Sequence, residues 1–549
     1  MPPLNYYIKW RTRSVHPLIL VTISVAVIFV LHNTTFWTIW DDVFAGAKIR
    51  GVVFALALLL LCCGLVSIFA MKRILQPFIA FLFILSSVTS YYMDQLGVII
   101  DREMIQNVVT TTLMEGKHLV TRSFLIWVGV SGIVPAVIVF YVKVDHPKFF
   151  HSVLQNILFL VFCVLGTVIL VATDIKGNSS VLRLRIDLKS SFQPLAPITE
   201  SFLYLAMITR SATLEFKEIG TDATLNSNFR NQGKPNLTVV VIGETARSQS
   251  FSLGSYNRST NPKLKNEDIA YYDNVSSCGT STAVSLPCMF SNFERANYSY
   301  EKGTSQENVL DIIQRAGYQV EWIDNNTGDK GLAARAKYTQ VTYAKNIKFC
   351  GEGECLDGIL VDEVAKRLPE IQKNTVLVLH QIGSHGPSYY LRYPRALEKF
   401  KPACRTSNFF ECTKEEIVNA YDNSIAYTDK VNADLIALLK KQSSVTTSMI
   451  YVSDHGESLG ENGLFLHGAP YFMAPREQTK VPMIVWLSDA YKNLTSITSE
   501  CLRTVSTQKY SHANFFHSLL GMTGVETVEY KPILDIFNRC GNKADVKKD

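Results

Sequence analysis

The stretch Ser448–Ser458, "SMIYVSDHGES", decides how the second half of this 549-residue chain is read. It opens on an apolar run and closes on Asp454-His455-Gly456-Glu457, where acid and imidazole crowd together. A short continuous apolar run is the mark of a strand buried on both faces. Charged groups placed directly after it lie at the strand's carboxyl end, where open α/β sheets gather their ligands.

The same pattern recurs along the chain. "VVVIGE" ends in Glu244, "VLVLHQIGSHG" carries His380 and His385, and "LFLHG" adds His467. Strands are predicted over Leu237–Gly243, Tyr318–Asp324, Thr375–Leu379, Ser448–Val452 and Pro482–Leu487. Helices are predicted over Ser305–Ala316, Gly358–Gln372, Lys414–Lys441 and Ser511–Gly521, with capping boxes at Thr304/Glu307 and Thr413/Glu416. Apolar strands alternating with helices imply an α/β domain whose mostly parallel sheet is covered by helices on both faces. Oxygen and nitrogen ligands converging on one sheet edge suit zinc. His380 reads as a satisfied core histidine, His385 and His467 as functional groups.

A second stretch, Ser276–Phe290 ("SSCGTSTAVSLPCMF"), places two cysteines around a row of hydroxyls. A hydroxyl held against a metal loses its proton more easily and becomes a nucleophile. Thr280, Ser281 and Thr282 are the candidates, and Gly279 is expected to let the backbone turn. A disulfide across the loop would hold the hydroxyl still, provided the compartment is oxidising.

The first 173 residues speak to the compartment. Five uncharged runs, Pro17–Trp40, Gly51–Met71, Ile74–Met93, Ser123–Val142 and Ser152–Thr173, each reach the roughly 20 apolar residues a membrane-spanning helix needs. Basic residues gather before the first run (Lys9, Arg11, Arg13), between the second and third (Lys72, Arg73) and between the fourth and fifth (Lys143, Lys148). Basic short loops stay cytoplasmic. The N-terminus is then cytoplasmic and everything after residue 174 is exported. Trp37, Trp40, Tyr91 and Tyr92 stand near outer span ends, as interfacial aromatics do. Three of the 11 cysteines lie inside spans and the other eight follow residue 277, an even number that fits a disulfide framework. Sequence neighbours suggest Cys278–Cys288, Cys350–Cys355 and Cys404–Cys412, leaving Cys501–Cys540, although spacing alone does not fix connectivity. The expected division is a transmembrane domain of five helices (1–173), an amphipathic periplasmic linker (174–236) and a periplasmic catalytic domain (237–549). A net charge of +6 is too modest to imply a nucleic acid partner.

Five motifs together, "VIGETARSQSFSLGSYNRSTNP", "SSCGTSTAVSLPCMFS", "DNNTGDKG", "HQIGSHGPSYY" and "VSDHGESLGENGLFLHG", resemble the lipid A phosphoethanolamine transferases. These are multi-pass enzymes of the bacterial inner membrane whose periplasmic domain belongs to the alkaline phosphatase and sulfatase superfamily. The resemblance implies that Thr282 is the nucleophile and that Glu244, Thr282, Asp454 and His455 hold zinc. It implies that Asn326 and Lys330 bind substrate and that His385 and His467 line the same site as acid or base. Asn107, Thr111 and Glu115, in the second periplasmic loop, match positions near the entering lipid. It further implies a monomer that takes phosphatidylethanolamine as donor and lipid A as acceptor among the membrane lipids, lowers surface negative charge and confers polymyxin resistance. Two neighbouring activities stay open: transfer to core sugars or another periplasmic glycan, and hydrolysis of a phosphoester. A catalytically dead sensor would lack a ligand or the hydroxyl, and all are present.

Overall fold

The structure is a computed structural model that describes residues 14–342, 344, 346, 348–351 and 354–540, without the side chains of 113–115. Contacts divide it into two compact units. One joins the residues up to Ile105 with Val120–Leu203, and the other joins Gln106–Leu119 with Tyr204 onward.

The first unit is helical. Its helices are α1 (Pro17–Leu31), α2 (Thr34–Val43), α3 (Lys48–Ser67), α4 (Leu75–Leu96), α7 (Arg122–Tyr141) and α8 (Phe149–Ala172); α5 (Arg102–Thr110) and α6 (Leu113–Leu119) lie in the connection between α4 and α7. Four helices are long and apolar enough to cross a membrane, and there are five spans if α1 and α2 count as one. The expected first run is bent by 72° between these two. The cause is Asn33. Its amide donates to the carbonyls of Ile28 (3.1 Å) and Gln193 (3.2 Å) and accepts from the Gln193 N–H (2.8 Å). A short polar side chain that bonds the backbone in this way competes with helix continuation. A π turn interrupts α7 at Val128–Ile133, where the Ser131 hydroxyl bonds the Trp127 carbonyl and contacts the Ser87 hydroxyl on α4 at 2.7 Å. The segment after α8 is also helical, as α9 (Ile175–Leu184) and α10 (Leu195–Thr213), and the Asp174 carboxylate caps the first of them by accepting from the Gly177 N–H.

The second unit is built on an eight-stranded sheet. Its strands are β1 (Asn236–Gly243), β2 (Ile269–Ser276), β3 (Gln319–Asp324), β4 (Lys337–Gln340), β5 (Thr375–His380), β6 (Thr446–Ser453), β7 (Lys480–Leu487) and β8 (Tyr510–Ser511). The spatial order is β8-β2-β7-β6-β1-β5-β3-β4, and only β7 runs against the rest. β1, β5 and β6 are buried along their whole length, as continuous apolar strands should be. Alternate residues point to opposite faces. Val240, Ile242, Val376, Val378, Ile450 and Val452 enter one core with Leu310 and Ile312 of α12 (Val309–Arg315, after α11, Thr282–Met289). Phe515 and Leu519 of the last long helix join the same core. The opposite face packs on α14 (Lys414–Lys440, after α13, Gly358–Arg367).

All five expected strands form, with ends displaced by at most two residues. β2, β4 and β8 were not expected. β2 mixes Asp273 and Asn274 into its run, β4 is a largely exposed edge, and β8 has two residues. The Thr413/Glu416 capping box forms. The Thr304/Glu307 box does not. Thr304 ends a separate short helix, and α12 begins after an Asn308/Asp311 box. Glu307 is drawn away because its carboxylate accepts from Arg315 and from the Ile219 N–H. The three disulfides that sequence proximity suggested form, and the two cysteines left over, Cys501 and Cys540, pair with each other.

Candidate active site

Four neighbouring strands, β6, β1, β5 and β3, end at one edge of the sheet and deliver the polar groups there. Glu244 follows β1, Asp454 and His455 follow β6, and Asn326 lies two residues beyond β3. Thr282 is the first residue of α11, whose Cys278–Cys288 bond ties the incoming loop to the helix. Gly279 is needed there for close approach. A Cβ at that position would lie 2.9 Å from the Ser285 nitrogen and from Val284 Cβ. The loop carrying His385 crosses equally tightly over Glu244. Gly383 has φ +51°, and a Cβ on it would meet the Glu244 carbonyl at 2.6 Å.

Two of the three candidate hydroxyls, those of Thr280 and Thr282, separate clearly. Thr280 donates to the Ala469 carbonyl at 2.7 Å and faces the loop rather than the acids. Thr282 Oγ1 donates to Glu244 Oε2 at 2.9 Å and lies 3.3 Å from His455 Nε2. His455 Nε2 in turn stands 3.3 Å from Glu244 Oε1 and 3.3 Å from Asp454 Oδ2. The ligand atoms of Glu244, Asp454 and His455 all lie within 4.8 Å of one another, and all three side chains are buried.

Burial of like charges sets the electrostatics. Burial, then the Glu244 carboxylate, pushes Asp454 up to about 6. Burial opposes charge on His455, but Asp454 and Glu244 outweigh it and raise the imidazole to about 9. Burial also opposes the Glu244 carboxylate, and His455 overcomes that and holds it below the usual range. Glu244 Oε1 and Asp454 Oδ2 nevertheless have no hydrogen-bond donor. Unsatisfied carboxylate oxygens this deeply buried are costly unless a cation meets them. His455 Nδ1 bonds the Gly456 carbonyl at 2.9 Å, which orients Nε2 toward the carboxylates. This nitrogen, two carboxylates and a hydroxyl form a donor set that fits zinc.

The sulfatase family matches residues 236–525, and the phosphoethanolamine transferase EptA/EptB family matches residues 58–207. Phosphoethanolamine transferase EptA of Escherichia coli strain K12 is 41% identical over 471 residues, 85% of each chain. The chain belongs to the EptA-type phosphoethanolamine transferases. Phosphatidylethanolamine transferase Mcr-1 of Escherichia coli is 33% identical over 518 residues, 90% of this chain and 94% of that one. Among solved structures, the integral membrane lipooligosaccharide phosphoethanolamine transferase A of Neisseria meningitidis superposes with a TM-score of 0.91 at 31% identity, covering 96% of this chain and all of that one. As a member of this family the chain is a multi-pass protein of the bacterial inner membrane with a periplasmic C-terminal domain.

The other expected site residues fall at varied distances from the transferase centre. Asn326 reaches it, because its amide donates to Glu244 Oε2 (2.8 Å) and to the Gln381 carbonyl (2.8 Å). Lys330 has φ +52°, and its ammonium donates to the carbonyl and hydroxyl of Thr327, each at 2.9 Å. The His467 ring centroid is 4.5 Å from that of His455 and 5.5 Å from that of His385. Just after the loop helix α5, Thr111 Oγ1 donates to the Asn107 carbonyl, and on the helix the Gln106 amide lies 3.5 Å from the carbonyl of Ala283, the residue after Thr282. The Glu115 side chain lies outside the described residues.

Sequence reasoning missed several supports. His380 is buried, as expected of a core residue, yet it also adjoins the site. Its Nδ1 pairs with Asp324 at 2.9 Å and its Nε2 lies 3.2 Å from the Asn326 amide. Glu457 bridges His467 Nδ1 (2.9 Å) and the Tyr389 hydroxyl (2.6 Å). His512 accepts from the Cys278 N–H at Nδ1 (3.1 Å) and meets the Ser453 carbonyl at Nε2 (3.0 Å), joining the nucleophile loop to β6. Glu457 was visible in the sequence as the end of "DHGE"; nothing in the sequence marks His512.

Proposed function

We propose that the protein transfers phosphoethanolamine from phosphatidylethanolamine to a phosphate of lipid A, through a covalent intermediate on Thr282 at a zinc site made by Glu244, Thr282, Asp454 and His455. The observation that carries this reading is the Thr282 hydroxyl held within hydrogen-bonding reach of Glu244 and His455, beside two carboxylate oxygens with no donor. The layout is a membrane domain (1–173), a periplasmic linker (174–236) and a catalytic domain (237–549), acting as a monomer. Both substrates are lipids, which accounts for tethering the catalytic domain to the membrane.

Zinc, when bound, would lower the pKa of the Thr282 hydroxyl and offset charge on the phosphoryl oxygens. The remaining work falls to the chain. Glu244 Oε2 accepts the Thr282 proton along their existing hydrogen bond. The Thr282 oxygen bonds to the donor phosphorus as the bond to the diacylglycerol oxygen breaks in line. His385 or His467 supplies the proton to the leaving alkoxide; Glu457 fixes the His467 ring through Nδ1 and leaves Nε2 for that exchange. Asn326 orients a phosphoryl oxygen, and Lys330 offers its third N–H as a point charge. Asn107, Thr111 and Glu115 meet the donor as it enters. In the second half-reaction a lipid A phosphate oxygen attacks the same phosphorus, and the Thr282 oxygen leaves and recovers its proton. The modified phosphate falls from about −1.5 to −2 charges to about −1, since two singly charged phosphoryl groups now face one ammonium. Polymyxin and other cationic peptides then bind less.

Full-length protein given phosphatidylethanolamine without acceptor should gain the mass of one phosphoethanolamine group at Thr282, and Thr282→Ala should not. Lipid A from cells expressing the wild type should gain the same mass, with raised polymyxin tolerance. A shift on core sugar instead would assign the acceptor differently. Normal turnover by Thr282→Ala would defeat the covalent reading.

A further inference from the structure

A basic rim borders the nucleophile loop on its β2 side. Lys480, at the start of β7, pairs in register with Ser276, the last residue of β2, and its ammonium donates to Asn274 Oδ1 (2.8 Å) and Ser276 Oγ (2.9 Å). Lys509 precedes Tyr510, which pairs with Val275 on the other side of the same strand. Arg476 lies four residues before Lys480, and Arg295 donates to the Cys278 carbonyl and stacks 4.0 Å over the Tyr471 ring. Three segments of the chain therefore bring four cations to the strand that runs directly into Cys278.

These cations differ from several other arginines of the domain. Arg247, Arg315, Arg335, Arg367 and Arg392 each pair with a carboxylate. None of Arg295, Arg476, Lys480 and Lys509 forms an ion pair among the described residues. Burial, then Arg476 and Lys509, depresses the Lys480 ammonium, and Asp273 is the acid that opposes them. Glu477, beside Arg476, and Glu294, beside Arg295, are further acids on the same segments, and neither forms an ion pair with these cations among the described residues. Cations gathered along one strand without ion-pair partners are a field that attracts an anion.

An apolar tip stands next to the cations. The loop 468–475 is tied to the nucleophile loop by Thr280 Oγ1 on the Ala469 carbonyl (2.7 Å), by the Gly468 N–H on the Thr280 carbonyl (2.8 Å) and by the Tyr471 hydroxyl on the Ser277 carbonyl (2.7 Å). Its tip leaves Phe472 59% and Met473 43% exposed. Exposed apolar groups beside unpaired cations suit an anionic amphiphile.

The two proposed substrates differ in the property this rim would read. Phosphatidylethanolamine is a zwitterion of net charge near zero. Lipid A carries two phosphates, and when one enters the cleft at Thr282 the other stays outside with its full charge. We propose that Arg476, Lys480 and Lys509, with Phe472 and Met473 beside them, form the acceptor-docking surface that holds the second, non-reacting phosphate of lipid A and so selects the acceptor. This rests on the lipid A reading above.

The test uses the full chain in phosphatidylethanolamine vesicles, with bisphosphorylated or monophosphorylated lipid A as acceptor. Arg476 and Lys509 are exposed, so Arg476→Gln/Lys509→Gln leaves the core untouched. The wild type should favour the bisphosphorylated acceptor, and added salt should erode that preference. The double variant should raise KM for the bisphosphorylated acceptor about tenfold, barely change it for the monophosphorylated one, and lose the salt dependence. Formation of the Thr282 adduct without acceptor should proceed at the wild-type rate. A preference that persists in the double variant overturns the rim. A matching loss in adduct formation also overturns it, and makes the patch a general membrane-surface contact. If wild-type adduct forms but no lipid A accepts from it, the lipid A reading itself fails, which is a different result from either.

Discussion

The two ends of the main sheet hold carboxylates in opposite circumstances. At the amino end, beside a cavity of about 400 Å³, Glu321 accepts from Arg367 (2.6 Å), Thr339 (2.9 Å) and Lys337 (3.2 Å). Burial works against its ionisation, but Arg367 and Thr339 prevail and hold the carboxyl below its ordinary value. At the carboxyl end, Glu244 and Asp454 each keep an oxygen without a donor and share one imidazole. The same residue type, on two strands of one sheet separated by β5, is satisfied at one end and left short at the other. Satisfied carboxylates stabilise a fold, whereas buried unsatisfied ones store a demand for a cation or a proton.

The sharpest way to break this contrast is at the hydroxyl between the two acids. Thr282→Ala should lower transfer by about a thousandfold or more, since a covalent route loses its nucleophile. Its melting temperature should stay near that of the wild type, because no buried charge loses a partner that zinc does not also supply. Thr280→Ala, which loses only a loop bond to Ala469, should keep measurable activity. Equal losses in the two variants would remove the distinction between these threonines.

Next in size is the metal. Asp454→Ala should cut both rate and bound zinc by about a hundredfold, the scale on which metal-site groups act. Chelation of the wild type should do the same and added zinc should reverse it. A metal-free protein with full activity would leave the unsatisfied oxygens without the proposed meaning.

The staple comes third. Opening the short Cys278–Cys288 loop with Cys278→Ser should cost about 2–4 kcal/mol of stability in the usual range for a disulfide. Activity should fall further than the melting curve explains, because the bond spans the loop that positions Thr282. Unchanged activity would show that Arg295, Tyr471 and His512 order the loop without the bond.

The smallest effect belongs to the satisfied end. Glu321→Gln should leave kcat unchanged and lower the melting temperature by a few degrees. Because the folded carboxyl lies below its ordinary value of 4.5, its stabilisation is present above that pH and is lost as pH falls through the folded value. Wild-type stability should therefore fall more steeply than that of Glu321→Gln below about pH 4.5. Parallel curves would mean that the pairing with Arg367 contributes nothing measurable.

Much of this architecture was legible because the relevant signals are local. Apolar length marks a span or a buried strand, and residues that follow a buried parallel strand must emerge at its carboxyl edge. That put Glu244, Asp454, His455 and His385 beyond strand ends, and disulfide pairing by proximity agreed with three bonds and left the fourth as the remaining pair. Where a signal was interrupted, reading failed. Asn33 sits inside an apolar run yet bends it through a bond to Gln193, 160 positions away. Glu307 looks like half of a capping box but answers to Arg315.

The sequence by itself determined the apolar runs of the membrane domain, the strand-and-helix alternation and the inventory of acids, imidazoles and hydroxyls, because each depends on composition within about one element's length. Only the tertiary structure showed the contacts that separate Thr280 from Thr282, which the resemblance had already singled out, that His380 and His512 brace the site, and that Glu321 is satisfied while Glu244 is not. Those outcomes depend on side chains from distant segments arriving at the same few ångströms. Hydrogen bonding and Coulomb interaction inside a buried site are decided at that range, and no spacing along the chain encodes it.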